Sequence, residues 1–291
     1  MRFGLLGTGP WAGITHGPAL AAHPGAELVG VWGRRPEAAE QLARTLATRP
    51  YAEADALIRD VDAVAVALPP DIQAPLAVRA ARAGKHLLLD KPVATTPELA
   101  REVEAAAAGV ASVVFFTLRF ADASGAWVDG RAAEGGWLHG RADWFSPVFG
   151  GADSPYAASP WRKEKGALWD VGPHALSVLL PVLGDAEEVH AVRGPGDAVH
   201  LTLRHAGGAL STATLTMSVP PEASGVAVEL RGRAGFAELP GRDEAGPVAA
   251  YGRAVDALLE AVRTGTAHPC DVRFARRVTE ILATAEGRLS L

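Results

Sequence analysis

The sequence predicts an α/β protein in two parts. A doubly wound parallel sheet is expected over residues 1–118, and an α+β domain with an open, mostly antiparallel sheet over 119–291. Three observations carry this reading. The chain opens on an apolar run, a glycine-rich turn and an amphipathic stretch. Strand and helix patterns then alternate to residue 118, as they do when helices cover both faces of a parallel sheet. Past Arg119, strand patterns follow one another through short hairpin-like links.

The first element is the apolar run at residues 3–6, which meets Gly7-Thr8-Gly9-Pro10-Trp11-Ala12 and an amphipathic stretch to Ala22. Strand, turn and helix in the G-x-G-x-x-[G/A] form make up the dinucleotide-binding unit of a Rossmann domain. Gly7 permits the tight turn, Gly9 lets backbone N–H groups approach the pyrophosphate, and Ala12 lets the helix sit close on the strand. The helix N-terminus adds partial positive charge for the phosphates. The second strand, residues 27–32, leads into Gly33-Arg34-Arg35. A site selective for NAD places Asp or Glu here to hold the ribose 2′-OH. In this chain Gly33 leaves room and Arg34 and Arg35 offer forked cations to a 2′-phosphate, so NADP is expected in preference to NAD. The plainer reading of the two arginines is a solvated loop.

The elements that follow keep the alternation. Residues 36–47 are helical, opened by Pro36. Residues 61–68 form a buried strand stopped by Pro69-Pro70, Asp71 caps a helix to Ala83, and Gly84 ends it. A strand at 85–89, a helix at 96–108 and a strand at 113–116 complete this half. In the second half, strands are expected at 137–145, 189–193, 198–205, 209–219, 226–231 and 235–239. One helix falls at 173–183, and two closing helices at 248–263 and 271–286. Such a sheet leaves one face to be covered, and self-association is the usual solution.

Composition narrows the function. With 48% hydrophobic and 21% charged residues the chain is globular rather than disordered. A net charge of −5 without a basic stripe argues against a nucleic-acid partner. The apolar runs are too short or too interrupted to span a bilayer. The chain enters its first strand at once, leaving no room for a signal peptide, and a cytoplasmic protein is expected. Cys270 is the only cysteine, which excludes internal disulfides, Cys₄ zinc sites and iron–sulfur clusters.

Two clusters can do chemistry. Asp90-Lys91-Pro92 follows a strand at its carboxyl end, where open α/β sheets bind ligands. There Lys91 faces the cofactor crevice and can hydrogen-bond a substrate hydroxyl. In the second cluster, Gly166-Ala167-Leu168-Trp169-Asp170-Val171-Gly172-Pro173-His174, Asp170 and His174 stand four apart and share one face if helical geometry holds. Histidine suits proton transfer near neutral pH, and a nearby carboxylate can orient it or grip a hydroxyl. The alternative is an N-cap aspartate and a satisfied core histidine. No array of His, Cys, Asp or Glu has metal-ligand spacing, so no metal is expected. Of the seven tryptophans, Trp11, Trp32, Trp161 and Trp169 lie near these clusters, most of them as packing. Arg162 is in reach of an anionic substrate or lies on the surface.

Together the motifs resemble the Gfo/Idh/MocA oxidoreductases, named for glucose–fructose oxidoreductase and inositol dehydrogenase, over nearly the whole chain. The resemblance rests on the N-terminal GTGPWA and on Leu68-Pro69-Pro70-Asp71 with Gln73. It rests also on Gly84-Lys85-His86 leading to Asp90-Lys91-Pro92, on Arg119-Phe120, and on the segment from Gly166 to His174. It implies that Lys91 binds the reacting hydroxyl, that His174 is the general acid/base, and that Asp170 positions it and the substrate. It further implies coenzyme contacts from Leu68, Pro69, Gln73, Asp90 and Lys91 and a substrate contact from Arg119, to which residue chemistry adds Trp161, as an aromatic face for a sugar ring, and Arg162. Members transfer hydride between NAD(P) and a hydroxyl-bearing carbon of a sugar or cyclitol, and the second domain pairs subunits into dimers or tetramers. Asp90 replaces the family's usual Glu, Gln73 a frequent His, and Ser177 an Asp common in its sugar dehydrogenases. Those departures leave two alternatives: a sensor that binds NADP without turnover, and redox-neutral chemistry on a bound coenzyme.

Overall fold

The computed structural model describes residues 1–151, 154–241 and 244–289. The chain divides into two compact units, Met1–Ala121 with Glu244–Thr279, and Asp122–Asp243 with Glu280–Leu291.

The first unit is built on six parallel strands, β1 (Arg2–Leu6), β2 (Glu27–Trp32), β3 (Arg49–Tyr51), β4 (Ala63–Val66), β5 (His86–Asp90) and β6 (Ser112–Phe115), in the order β3-β2-β1-β4-β5-β6. This is the doubly wound order, with its switch point between β1 and β4. Strands β4 and β6 are buried at every residue, as a sheet covered on both faces requires. The helices are α1 (Gly17–Ala22), α2 (Pro36–Thr45), α3 (Ala54–Asp60), α4 (Pro70–Arg82), α5 (Pro97–Ala106) and the single turn α6 (Thr117–Phe120). Proline opens α2, α4 and α5, where a missing N–H is harmless and a fixed φ favours the first turn. Thr96 caps α5, its hydroxyl accepting from Leu99 N–H at 3.3 Å. Gly84, at φ 74°, follows the end of α4.

Three expectations change here. Asp71 does not cap α4: Pro70 already occupies the first helical position, so Pro69 is the N-cap and Asp71 falls inside the first turn. Its charge still complements the helix dipole there. Strand β3 and helix α3 were not anticipated, because β3 is three residues long with Arg49 and Pro50 exposed. The first helix is not α-helical throughout, because Ala12–His16 form a π-turn within it.

The second unit carries β7 (Trp137–Phe145), β8 (Ala186–Arg193), β9 (Val199–His205), β10 (Leu210–Thr216), β11 (Gly225–Gly232) and β12 (Gly235–Glu238), ordered β12-β11-β7-β10-β9-β8. The β7–β10 pairing is parallel and the others are antiparallel. Helices α7 (Asp122–Glu134), α8 (Pro160–Asp170) and α9 (Gly172–Leu183) belong to this unit, and α7 and α8 were not expected from sequence. Helix α9 lies on the sheet: a Cβ at Gly140 of β7 would meet Leu179 and Leu183 at 2.8 Å. By length and composition the run Pro160–Leu183 could cross a membrane, but 83% of its apolar window is buried within the protein. It is broken between Asp170 and Gly172.

Two last helices, α10 (Gly246–Thr264) and α11 (Val272–Leu289), close the chain. The expected boundary gave residues 119–291 to the second domain, whereas α10 and α11 as far as Thr279 group with the first unit. The reason is packing: α10 lies against β5, β6 and α6, with Tyr251, Ala254, Val255 and Leu258 buried. Arg253 Nε donates to the Phe120 carbonyl.

Candidate functional site

In the first unit the candidate residues gather at the carboxyl edge of the parallel sheet. The glycine turn follows β1, with Gly7 N–H donating to the Trp32 carbonyl at 2.8 Å. Gly7 has φ 133°, and a Cβ there would collide with the Ala67 carbonyl, so both conformation and space demand glycine. Gly9 is different, because nothing lies within 4 Å of a Cβ built on it. Its backbone borders open space beside the first helical turn at Pro10 and Trp11. That cradle fits a dinucleotide pyrophosphate. Ala12 is fully buried, as close helix–strand packing requires.

Gly33 has a cause that sequence did not supply. A Cβ there would meet the Thr8 side chain at 2.5 Å, so the second strand's end and the glycine turn are in direct contact. Arg34 and Arg35 are exposed beyond it, and Arg35 is the N-cap of α2. At the end of β4, Leu68 precedes Pro69, the N-cap of α4.

Gln73, on α4, is fully buried and supports the lysine turn. Its Oε1 accepts from Asp90 N–H at 2.8 Å, and its Nε2 donates to the Asp90 carbonyl at 2.7 Å and the Pro92 carbonyl at 3.2 Å. One side-chain amide thus pairs with the Asp90 peptide groups as a neighbouring strand would. The glutamine clamps the turn that presents Lys91, whose peptide bond to Pro92 is cis. Asp90 also caps this turn locally, its Oδ1 accepting from Lys91 N–H at 2.8 Å. Arg119 sits in α6, partly exposed.

Behind the glycine turn lies a polar group that sequence reading missed. The π-turn is closed by Gly17 N–H donating to the Ala12 carbonyl, and it carries Thr15 and His16 inward, where both are fully buried. The His16 ring stacks on Tyr251 of α10 at 4.1 Å and meets Phe115 and Trp11 edge-on at 6.1 and 6.2 Å. Burial pushes its imidazole down to about 3, so the ring is neutral. Its Nε2 is 3.7 Å from Asp90 Oδ2. Burial, then the Asp90 charge, raises the Tyr251 phenol well above its ordinary value. The sequence signal for this group was the polar pair Thr15-His16 inside an otherwise small and apolar stretch.

In the second unit, α8 changes direction at Gly166 (φ 63°, ψ −164°), and its last turn brings Asp170 inward. Asp170 ends α8 and His174 lies in α9, while Val171 between them keeps αR geometry. Arg162 Nε donates to Asp170 Oδ2 at 2.9 Å. The Arg162 guanidinium lies over the rings of Trp161 and Tyr156, at 4.8 and 4.9 Å. Arginine, acid and two aromatic rings thus form one cluster, with Tyr156 unforeseen. The His174 imidazole stacks on Trp144 of β7, 4.6 Å between centres and 12° between planes. Ser177 is fully buried and donates to the His174 carbonyl at 2.7 Å, a bond internal to α9. Asp197, in the β8–β9 hairpin, accepts from Thr216 Oγ1 at 2.7 Å and steadies the end of β10. Among the described residues, no cluster of His, Cys, Asp and Glu could hold a metal ion.

Comparison with known proteins gives a consistent picture. The profile described as "Oxidoreductase family, NAD-binding Rossmann fold" matches residues 1–117, and the GFO/IDH/MocA C-terminal domain profile matches residues 138–238. The chain is 30% identical over 192 residues to the uncharacterized oxidoreductase YdgJ of Escherichia coli, covering 63% of this chain and 54% of that one. It is 37% identical over 102 residues to inositol 2-dehydrogenase of Rhizobium meliloti, covering 35% of this chain and 31% of that one. These matches therefore span about half the length of the curated relatives or less. Among solved structures, the WlbA dehydrogenase of Bordetella pertussis in complex with NADH and UDP-GlcNAcA superposes with a TM-score of 0.86. That likeness covers 100% of this chain and 96% of that one at 24% identity, and it concerns the fold.

Proposed function

We propose that this chain, which belongs to the GFO/IDH/MocA family of oxidoreductases with an NAD-binding Rossmann fold, transfers hydride between a nicotinamide dinucleotide and a secondary alcohol or ketone of a sugar- or cyclitol-like substrate. The observation that carries this reading is the carboxyl edge of the first sheet. An open glycine cradle and a clamped lysine turn leave that edge on strands β1 and β5, either side of β4.

The dinucleotide, when bound, supplies the hydride acceptor or donor. The protein's residues do the rest. Backbone N–H groups around Gly9 and the helical start at Pro10 bind phosphate oxygens. Lys91 binds the reacting hydroxyl through Nζ and favours its oxygen as the proton departs. His174 exchanges that proton at Nε2, since its Nδ1 is buried, and Trp144 fixes the plane of the ring. Asp170, held by Arg162, accepts a hydrogen bond from a substrate hydroxyl. NADP is the preferred coenzyme in this reading. It is supported by the absence of an acid at the end of β2 and by the exposed Arg34 and Arg35.

The second unit's sheet takes a second copy of the chain in this proposal, giving a homodimer or homotetramer. Its face carries Val192, Leu210 and Phe236, all exposed, among charges already neutralised by neighbours. Arg204 pairs with Glu188 at 2.7 Å, and Arg141 with Asp143. A face whose charges are internally matched can be buried without new partners.

The deciding experiment titrates the protein with NADPH and NADH by tryptophan quenching, then screens polyols for hydride transfer. Tight NADPH binding, transfer to one polyol class, and loss of transfer but not of binding in Lys91→Ala are expected. Binding without transfer to any polyol would indicate a sensor. Full turnover in Lys91→Ala would overturn the mechanism.

A further inference from the structure

We propose that His16 is a positioning residue for the Lys91 turn, donating a hydrogen bond from Nε2 to Oδ2 of Asp90. The inference rests on the reading that Lys91 serves at the reacting hydroxyl.

The argument begins with what surrounds the ring. His16 is enclosed by Tyr251, Phe115 and Trp11, and neither of its nitrogens has a hydrogen-bond partner. The hydroxyls of Thr15 and Tyr251 are also buried and unmatched. Buried polar groups are rarely left so, and a clump of them marks a place where a bond is made by a small movement or serves function. A site meant only for packing would be filled by phenylalanine or leucine. The group facing the ring is the Asp90 carboxylate, 3.7 Å from Nε2. That gap exceeds a hydrogen bond by about 0.5 Å, within the reach of a small side-chain rotation. A neutral imidazole in its Nε2–H form can donate there without bringing a second charge into the interior.

The consequence for Lys91 follows from the other carboxylate oxygen. Asp90 Oδ1 accepts from Lys91 N–H, while Gln73 holds the Asp90 backbone. With Oδ2 tied to His16, the carboxylate cannot rotate, and the Lys91 peptide keeps its orientation. With Oδ2 released, Oδ1 is free to leave the Lys91 N–H and the turn loosens. The π-turn supports this role: it sets His16 at the end of the segment that starts at the coenzyme cradle, and π-turns are frequent at functional sites. His16 thereby links the glycine turn to the lysine turn within one unit.

The test uses substitutions that separate hydrogen bonding from packing. His16→Gln keeps an N–H donor at the position of Nε2, and His16→Phe keeps the stack on Tyr251. The chain has four lysines, at 85, 91, 163 and 165, so labelling by formaldehyde and borohydride can be followed at each one by mass spectrometry. In His16→Phe, Lys91 labelling should rise about threefold relative to the other three lysines, as a loosened turn exposes it. In His16→Gln it should stay at the wild-type rate. The reverse pattern, with Phe tolerated and Gln disruptive, would show a packing role and overturn the proposal. Should both variants fail to fold, ¹⁵N spectra of the nine histidines, recorded with His16 in place in the wild type and in Asp90→Asn, decide the matter. An Nε2–H tautomer for His16 that responds to Asp90→Asn supports the bond, and an Nδ1–H tautomer refutes it. Retained hydride transfer in Lys91→Ala would instead overturn the functional reading, leaving the labelling and tautomer results intact.

Discussion

The imidazole of His174 lies flat against the indole of Trp144, with ring centres 4.6 Å apart. One residue comes from the first turn of α9 and the other from β7. A stack of this kind restricts rotation about the His174 Cβ–Cγ bond, which a general base needs if its proton transfer is to be directional. Trp144→Leu should lower kcat about tenfold and alter KM less, while His174→Ala should lower kcat about 10²- to 10⁴-fold. Steady-state kinetics on the polyol found by screening checks both, and an unchanged kcat in Trp144→Leu would remove the stack from the mechanism.

Arg162 and Asp170 form a pair that is mostly out of water, with side chains 21% and 9% exposed. Arg162→Met removes the guanidinium both from the Asp170 carboxylate and from the faces of Trp161 and Tyr156. The expected outcome is a loss of about 2 kcal/mol in urea unfolding and a raised KM for the polyol. Wild-type values of both would show that Asp170 has no need of Arg162.

Gln73 is the clamp on the lysine turn. Gln73→Leu removes its four carbonyl and amide contacts at 2.7–3.4 Å and leaves buried peptide groups unmatched. A loss of about 2–4 kcal/mol in stability is expected, with kcat falling further than coenzyme affinity. Chemical denaturation and fluorescence titration measure the two separately.

Acid sensitivity is built into the first unit by His16. Its native pKa is about 3 against 6.5 for the free side chain, so below pH 6.5 the unfolded chain binds a proton that the folded chain refuses. Stability therefore falls as pH drops from about 6.5 toward 3, by about 2 kcal/mol between pH 7 and pH 5 from this group. His16→Gln should flatten that dependence relative to wild type. Urea unfolding at pH 7 and pH 5 tests this, and identical slopes in the two proteins would refute it.

The exposed apolar residues of the second unit's sheet give the last prediction. Leu210→Glu combined with Phe236→Glu should lower the mass measured by light scattering toward one chain, leaving the circular dichroism spectrum unchanged. An unaltered mass would place subunit contacts, if any, on another face.

Much of the architecture was legible because it rests on local rules. The alternation of strand and helix patterns to residue 118, the proline start of α2, and the hairpin links of the second sheet each depend on a few adjacent residues. Elements without such local signals went unseen. Strand β3 is three residues long, α8 bends at Gly166, and α7 has no pronounced apolar stripe. Helix α10 was found, but not its membership of the first unit, because the contacts that decide it lie more than 120 residues away in sequence.

The candidate site divides in the same way. By itself the sequence determined the glycine turn, the lysine after β5 and the acid and histidine four apart, since a turn or strand end fixes their residue types and spacing. Only the tertiary structure could decide what those groups touch. It assigned Gln73 to the backbone beside Lys91, Arg162 to Asp170, Trp144 to His174, and the neutral ring of His16 to a place facing Asp90. Each of those pairings joins different turns of the chain, and their geometry exists only once helices and strands have packed. Spacing along a sequence can propose which groups do chemistry, but the orientation and protonation of those groups are set by neighbours that folding alone brings together.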